Sequence, residues 1–171
     1  MSGPASAADP RLARIHALLD LVVPAEPRSL LPDWTVAFAA TTACDRAGLA
    51  VTGCTEGDVS TFTPQLWQAP PALRPQLVAH EFAAAVTEHY VDPQASWSGP
   101  ATPAAARAFS VQAASMDSLS DADAFASCLT RAWSGAEAPD AAAPVPCPAP
   151  LAQLALADLS VAVRDGNPGS G

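Results

Sequence analysis

His80, Glu81, Glu88 and His89 fall within one short stretch of the sequence and include two of its three histidines. Residue types of this kind take and give protons or hold divalent metals, so the stretch is the first candidate for chemistry. Its spacing sets limits on that chemistry. On a helix turning by ~100° per residue, His80 and His89 lie on opposite sides. Glu81 and Glu88 share a side but stand two turns, ~10 Å, apart, too far for one ion to bridge. The metalloprotease pattern needs two histidines four residues apart, and that spacing is absent. The amphipathic pattern supplies a structural alternative. Val78, Phe82, Ala85 and Val86 form an apolar face that includes His89, Glu81 and Glu88 border it, and His80 points away. His89 is then expected to be partly buried and bonded to a backbone carbonyl or a nearby acid.

Other chemistry is weaker still. Cys44, Cys54, Cys128 and Cys147 lack the close C-x-x-C pairs typical of zinc sites. No secretory signal precedes them, so free buried thiols are expected rather than disulfides, with Cys44 and Cys128 packed on apolar helix faces. There is no G-x-S-x-G elbow and no phosphate-binding glycine loop. Asp121 and Asp123 suit the first turn of a helix, where the dipole favours acids. His16 is expected at the surface or its boundary. Trp67 and Trp97, in loop-like segments, are equally suited to face a partner or to cap the core. No cofactor, metal ligand or catalytic residue is assigned, with Glu81, Glu88 and His89 kept as the enzymatic alternative.

Composition narrows the partners. The net charge of −9 over 171 residues, with eight arginines and no lysine, argues against nucleic acid and against an anionic membrane surface. The absence of lysine beside abundant Ala, Pro, Gly and Arg fits a GC-rich genome and needs no functional cause. The polar start of the chain and the lack of an apolar run of ~20 residues suggest a soluble, cytoplasmic protein.

The elements that would position these residues read as helices. Asp9 and Pro10 open a first helix with Leu12, Ile15, Leu18, Leu19 and Val22 on one stripe, closed by Pro24. Asp33 is expected to cap a second, with Trp34, Ala37, Phe38, Thr41 and Cys44 on one face and Gly48 as its stop. Residues 49–62 read as a loop in preference to a short hairpin. A short helical turn follows Thr63-Pro64, and the third main helix covers Pro75 to Val91. A fourth runs from Thr102-Pro103 to near Met116. A fifth runs from a capping box at Ser120–Asp123 to Gly135, with Phe125, Leu129, Ala132 and Trp133 buried. The expected core comprises Leu12, Ile15, Leu19, Trp34, Phe38, Phe82, Phe109, Phe125 and Trp133.

The expected fold is therefore all-α: a compact bundle of five or six helices over residues 1–135. An Ala/Pro-rich linker at 136–150 leads to a C-terminal helix and frayed end at 151–171. On that helix Leu156, Leu159 and Val163 face one way and Leu154 and Val161 the other, the pattern of a helix held between neighbours. The expected function is a non-catalytic assembly or adaptor protein that binds a protein partner or itself through Leu154, Leu156, Leu159 and Val161. Residues 1–135 are expected to fold without this tail. The alternative is a small helical enzyme, metal-assisted, centred on the Glu81/Glu88/His89 helix.

Overall fold

The structure is a computed structural model that describes residues 3–4, 9–45, 51–90, 121–135, 147 and 149–164. The fourth expected helix, Trp97, Phe109 and Ser120 lie outside the described residues, as does nearly all of the proline-rich segment.

Local signals place the first helix, α1 (Pro10–Asp20). The Asp9 carboxylate accepts a hydrogen bond from the Arg11 backbone N–H at 2.8 Å, and Pro10 occupies the first turn, where its missing N–H costs nothing. Ile15 and Leu19 are the buried ridge of this helix. A single turn, α2 (Ala25–Arg28), follows Pro24.

The chain then departs from the all-α expectation. Thr35–Phe38 is not part of a helix but a strand, β2, and residues 53–62 form a hairpin of β3 (Gly53–Glu56) and β4 (Val59–Phe62). With the two-residue β1 (Gly3–Pro4) they make a mixed sheet in the order β1-β2-β4-β3, with β2 parallel to β4 and β3 antiparallel to it. The helical reading of 33–48 rested on one apolar face. Thr-Val-Ala-Phe fits a strand equally well, and registering Val36 on Ser60 and Phe38 on Phe62 decides the matter. The fold is thus mixed α and β, neither all-α nor a helical bundle. The hairpin, not the preferred loop, occupies 53–62. Its two-residue turn places Gly57 at φ +61°, a conformation that costs a residue without a side chain nothing.

A second short turn, α3 (Gln65–Gln68), leads into α4 (Arg74–Tyr90). Arg74 fastens the two together, donating to the Trp67 carbonyl at 2.7 Å and the Ala69 carbonyl at 3.0 Å. α4 is the hub. It packs against α1, α3, β3, β4, α5 (Asp121–Ser134) and α6 (Ala149–Arg164). Its burial consequently exceeds the single expected face, since Leu77, Ala79, Glu81, Ala83 and Thr87 are buried along with Val78, Phe82, Ala85 and Val86. α5 stops at Gly135, whose φ of +72° matches a left-handed helix end.

One hydrophobic core joins the layers: Ile15 and Leu19 of α1, Trp34, Phe62, Phe82 of α4, Phe125 and Leu129 of α5, and Leu159 of α6. Trp34 meets Phe82 edge-on at 5.2 Å, and the Trp133 ring lies tilted at 6.0 Å from Phe82. Leu12, Phe38 and Trp133, expected in the core, are only partly buried at its margin.

The cysteines also depart from expectation. Cys44 is bonded to Cys54 and Cys128 to Cys147, so none is a free thiol. Wide spacing in sequence hid pairs that the fold brings to Cα separations of 5.7 and 5.2 Å.

Candidate functional site

The candidate residues of α4 are positioned by the sheet beneath them. β3 and β4 turn Gly53, Thr55, Ser60 and Phe62 toward the helix, because side chains two apart on a strand share a face. Glu81 is buried, 9% exposed, and its Oε2 accepts a hydrogen bond from the Thr55 hydroxyl at 2.6 Å. Ser60, fully buried, lies 2.9 Å from Thr55 Oγ1 and accepts from the Trp34 indole N–H at 2.9 Å. Trp34 donates to Ser60 and Thr55 donates to the Glu81 carboxylate, which leaves the Ser60 proton for Thr55 Oγ1 or for the Glu81 backbone carbonyl at 3.4 Å. A buried carboxylate met by such a donor is a satisfied acceptor, which makes its burial tolerable.

Backbone spacing is fitted to this contact. A Cβ on Gly53 would stand 2.8 Å from Glu81 Cγ, so a glycine is what lets β3 approach the helix at Glu81.

Two turns further along α4 the same hairpin is held again. Glu88 Oε2 accepts from the Gly57 backbone N–H, and His89 Nδ1 lies 3.3 Å from Asp58 Oδ1. His89 is half-buried, with its ring against Tyr90 at 4.8 Å. The Tyr90 hydroxyl in turn donates to the Leu30 carbonyl. His80 is half-buried away from this row, its Nδ1 enclosed without a hydrogen-bond partner. Ala84 stands four residues after it, where a second imidazole ligand would be needed.

The structure therefore brings Glu81, Glu88 and His89 together on the hairpin but not on one point. Among the described residues no three His, Cys, Asp or Glu side chains are grouped to hold a metal ion. Ser60, whose hydroxyl lies 3.4 Å from the Glu81 backbone carbonyl, has no exposure through which a substrate would reach it. Sequence reasoning takes Gly53, Gly57 and Asp58 only as breaks of a loop or short hairpin, and misses Thr55 and Ser60. The Glu-Gly-Asp turn at 56–58 was the available signal for the hairpin that carries them.

The expected partner-binding residues are distributed differently. Leu159 is buried in the core, while Leu154, Leu156 and Val161 are half-buried on α6. His16 is exposed and touches Trp34 edge-on at 5.8 Å, and Trp67 is half-buried under the Arg14 guanidinium. Among the described residues no helix is long and apolar enough to cross a membrane.

Compared with models of known families, with curated proteins and with solved structures, the chain has no match.

Proposed function

We propose that this chain is a non-catalytic domain that binds a protein partner in an oxidising compartment. The observation that carries the non-catalytic part is the use made of the α4 cluster. Glu81, Glu88 and His89 each reach a different residue of one hairpin, Thr55, Gly57 and Asp58. Groups spread along nine residues of helix to fasten a hairpin are doing structural work, and the metal-assisted alternative loses the cluster it was centred on. The net charge of −9 keeps nucleic acid and anionic membranes as poor partners.

Two disulfides support the choice of compartment. Such bonds persist in secreted, extracellular or periplasmic settings and are rare in a reducing cytosol. An oxidising compartment accordingly takes the place of the cytoplasmic location expected from sequence.

The test compares metal content with stability. The purified oxidised chain is expected to hold no stoichiometric zinc, iron or manganese. Glu88→Gln is expected to lower the thermal midpoint by roughly 3–6 °C, the loss of a charged hydrogen bond in a chain of this size. One tightly held ion per chain, lost in Glu81→Gln or His89→Ala with no change in midpoint, would return the function to an enzyme.

A further inference from the structure

Six arginines lie among the described residues, and five of them are engaged within the chain. Arg11 grips Asp9, Arg28 pairs with Asp20, Arg74 binds two carbonyls, Arg164 donates to the Ser160 carbonyl, and Arg131 also has a partner. Arg14 differs. It is exposed, its guanidinium lies 4.3 Å over the Trp67 ring, and no described residue offers it a carboxylate or carbonyl.

Arg11, one turn earlier on α1, displays the same arrangement in its filled form. Its guanidinium lies 4.2 Å over Phe38, and its in-plane donors hold Asp9, Nε at 3.1 Å and Nη2 at 2.7 Å. Stacking on an aromatic face leaves the rim of a guanidinium free to grip a carboxylate as a fork. Arg14 on Trp67 repeats the stack with the fork open.

The surroundings add an apolar anchor. Arg11, Arg14, Leu18 and Leu21 follow one another at helical spacing, and Leu21 keeps helical dihedrals at the end of α1. Leu21 is 72% exposed, the larger exposure of the two large hydrophobic side chains that face solvent among the described residues. It stands seven residues from Arg14, about 10 Å along the axis. Arginine and tryptophan are the residue types most enriched where binding energy concentrates.

We propose that Arg14, Trp67 and Leu21 form a docking surface for a peptide segment of a protein partner, one carboxylate of which enters the Arg14 fork while an apolar side chain about 10 Å away covers Leu21. Overall charge selects this occupant over a polyanion. A chain of net charge −9 repels nucleic acid or an acidic polysaccharide, whereas a segment with a single carboxylate meets little long-range repulsion and gains the short-range contact. The surface rests on the protein-interaction reading above and gives it a location.

The probe is a synthetic peptide with one Glu and one Leu three residues apart in an otherwise Ser/Gly sequence, beside its Gln counterpart. Three residues of extended chain span about 10 Å. Titration of the full oxidised chain is followed by the 15N–1H resonances of Arg14 Nε and Trp67 Nε1. Saturable shifts of both with the Glu peptide are expected, with binding at least tenfold weaker for the Gln peptide and for the Arg14→Gln chain. Leu21→Ser should weaken it severalfold. All of these positions except Trp67 are exposed, so an unchanged thermal midpoint will show that the variants remain folded. Trp67→Phe, which keeps the stack, should retain most of the binding. Resonances unmoved at millimolar peptide, or equal binding by the Glu and Gln peptides, would overturn the surface. That outcome would leave the non-catalytic reading standing, because metal content and the Glu88→Gln midpoint decide it separately.

Discussion

A buried carboxylate is tolerable only where donors meet it, and Glu81 illustrates both the requirement and its geometric consequence. Thr55 supplies the donor, and the strand bearing Thr55 comes close enough only because residue 53 has no side chain. Gly53→Ala should cost about 1–3 kcal/mol in denaturant unfolding, the usual penalty of overpacking, since the added methyl meets the Glu81 stem. Asp45 is a second residue whose ionisation matters. Its carboxylate accepts from the Val51 and Thr42 backbone N–H groups, each at 3.2 Å, and these bonds, Val51 first, hold its pKa below the usual value of 3.8. A lowered folded pKa means that the contribution is complete above the unfolded value of about 3.9 and is lost as pH falls through the folded one. The Val51 amide resonance should therefore be constant at neutral pH and move only below about pH 4, and Asp45→Asn should remove the transition. Movement centred near pH 6 would contradict this assignment. Little of this residue-scale detail is readable from sequence, because Thr55 and Glu81 lie 26 residues apart and Gly57 and Glu88 lie 31 apart. The opposition of His80 and His89 is readable, because it depends only on helical pitch.

At the scale of elements, legibility follows locality. α1 begins at Asp9-Pro10, and α5 ends before Gly135, because caps and stops act through adjacent residues. β2 is a strand because β4 lies beside it, and a four-residue stretch of Thr, Val, Ala and Phe carries no local sign of that neighbour. The C-terminal helix gives a similar lesson in reverse. Its apolar residues on two sides suggest neighbours without saying which, and the fold supplies α4 and α5. Ala152, Ala155 and Leu159 are buried there, which speaks against the expectation that residues 1–135 fold without the tail. Leu159→Ala should destabilise the chain by about 2–5 kcal/mol, the range for a core leucine. A chain ending at residue 148, which keeps Cys147, should unfold at markedly lower denaturant or lose its cooperative transition. An unchanged midpoint for both would make α6 an appendage.

The whole molecule is a small α and β domain closed by two covalent links, one beside the hairpin and one between α5 and the segment before α6. Closing loops of 10 and 19 residues removes freedom from the unfolded chain worth about 3 kcal/mol for each bridge on a chain-entropy basis. Replacing either pair by serine should lower stability by roughly that amount. Thiol labelling of the denatured, unreduced protein should find no free cysteine. Four labelled thiols in protein recovered from its native compartment would return the chain to a reducing environment. These bonds were the feature least legible in sequence, since pairing depends on where the fold brings Cys44 and Cys54, and Cys128 and Cys147, together.

The claim on which the account turns is that the ionisable row of α4 fastens the hairpin instead of performing catalysis. A double-mutant cycle between Thr55→Val and Glu81→Met in denaturant unfolding measures that link directly. Each single variant removes one side of the Thr55–Glu81 side-chain contact, Thr55 keeping the residue 81 backbone carbonyl and Ser60 as neighbours, while the double variant removes both sides. A coupling of about 1.5–3 kcal/mol is predicted, as for a hydrogen bond to a charged group. Additive effects within about 0.5 kcal/mol, with Glu81→Met as stable as the parent chain, would contradict the account.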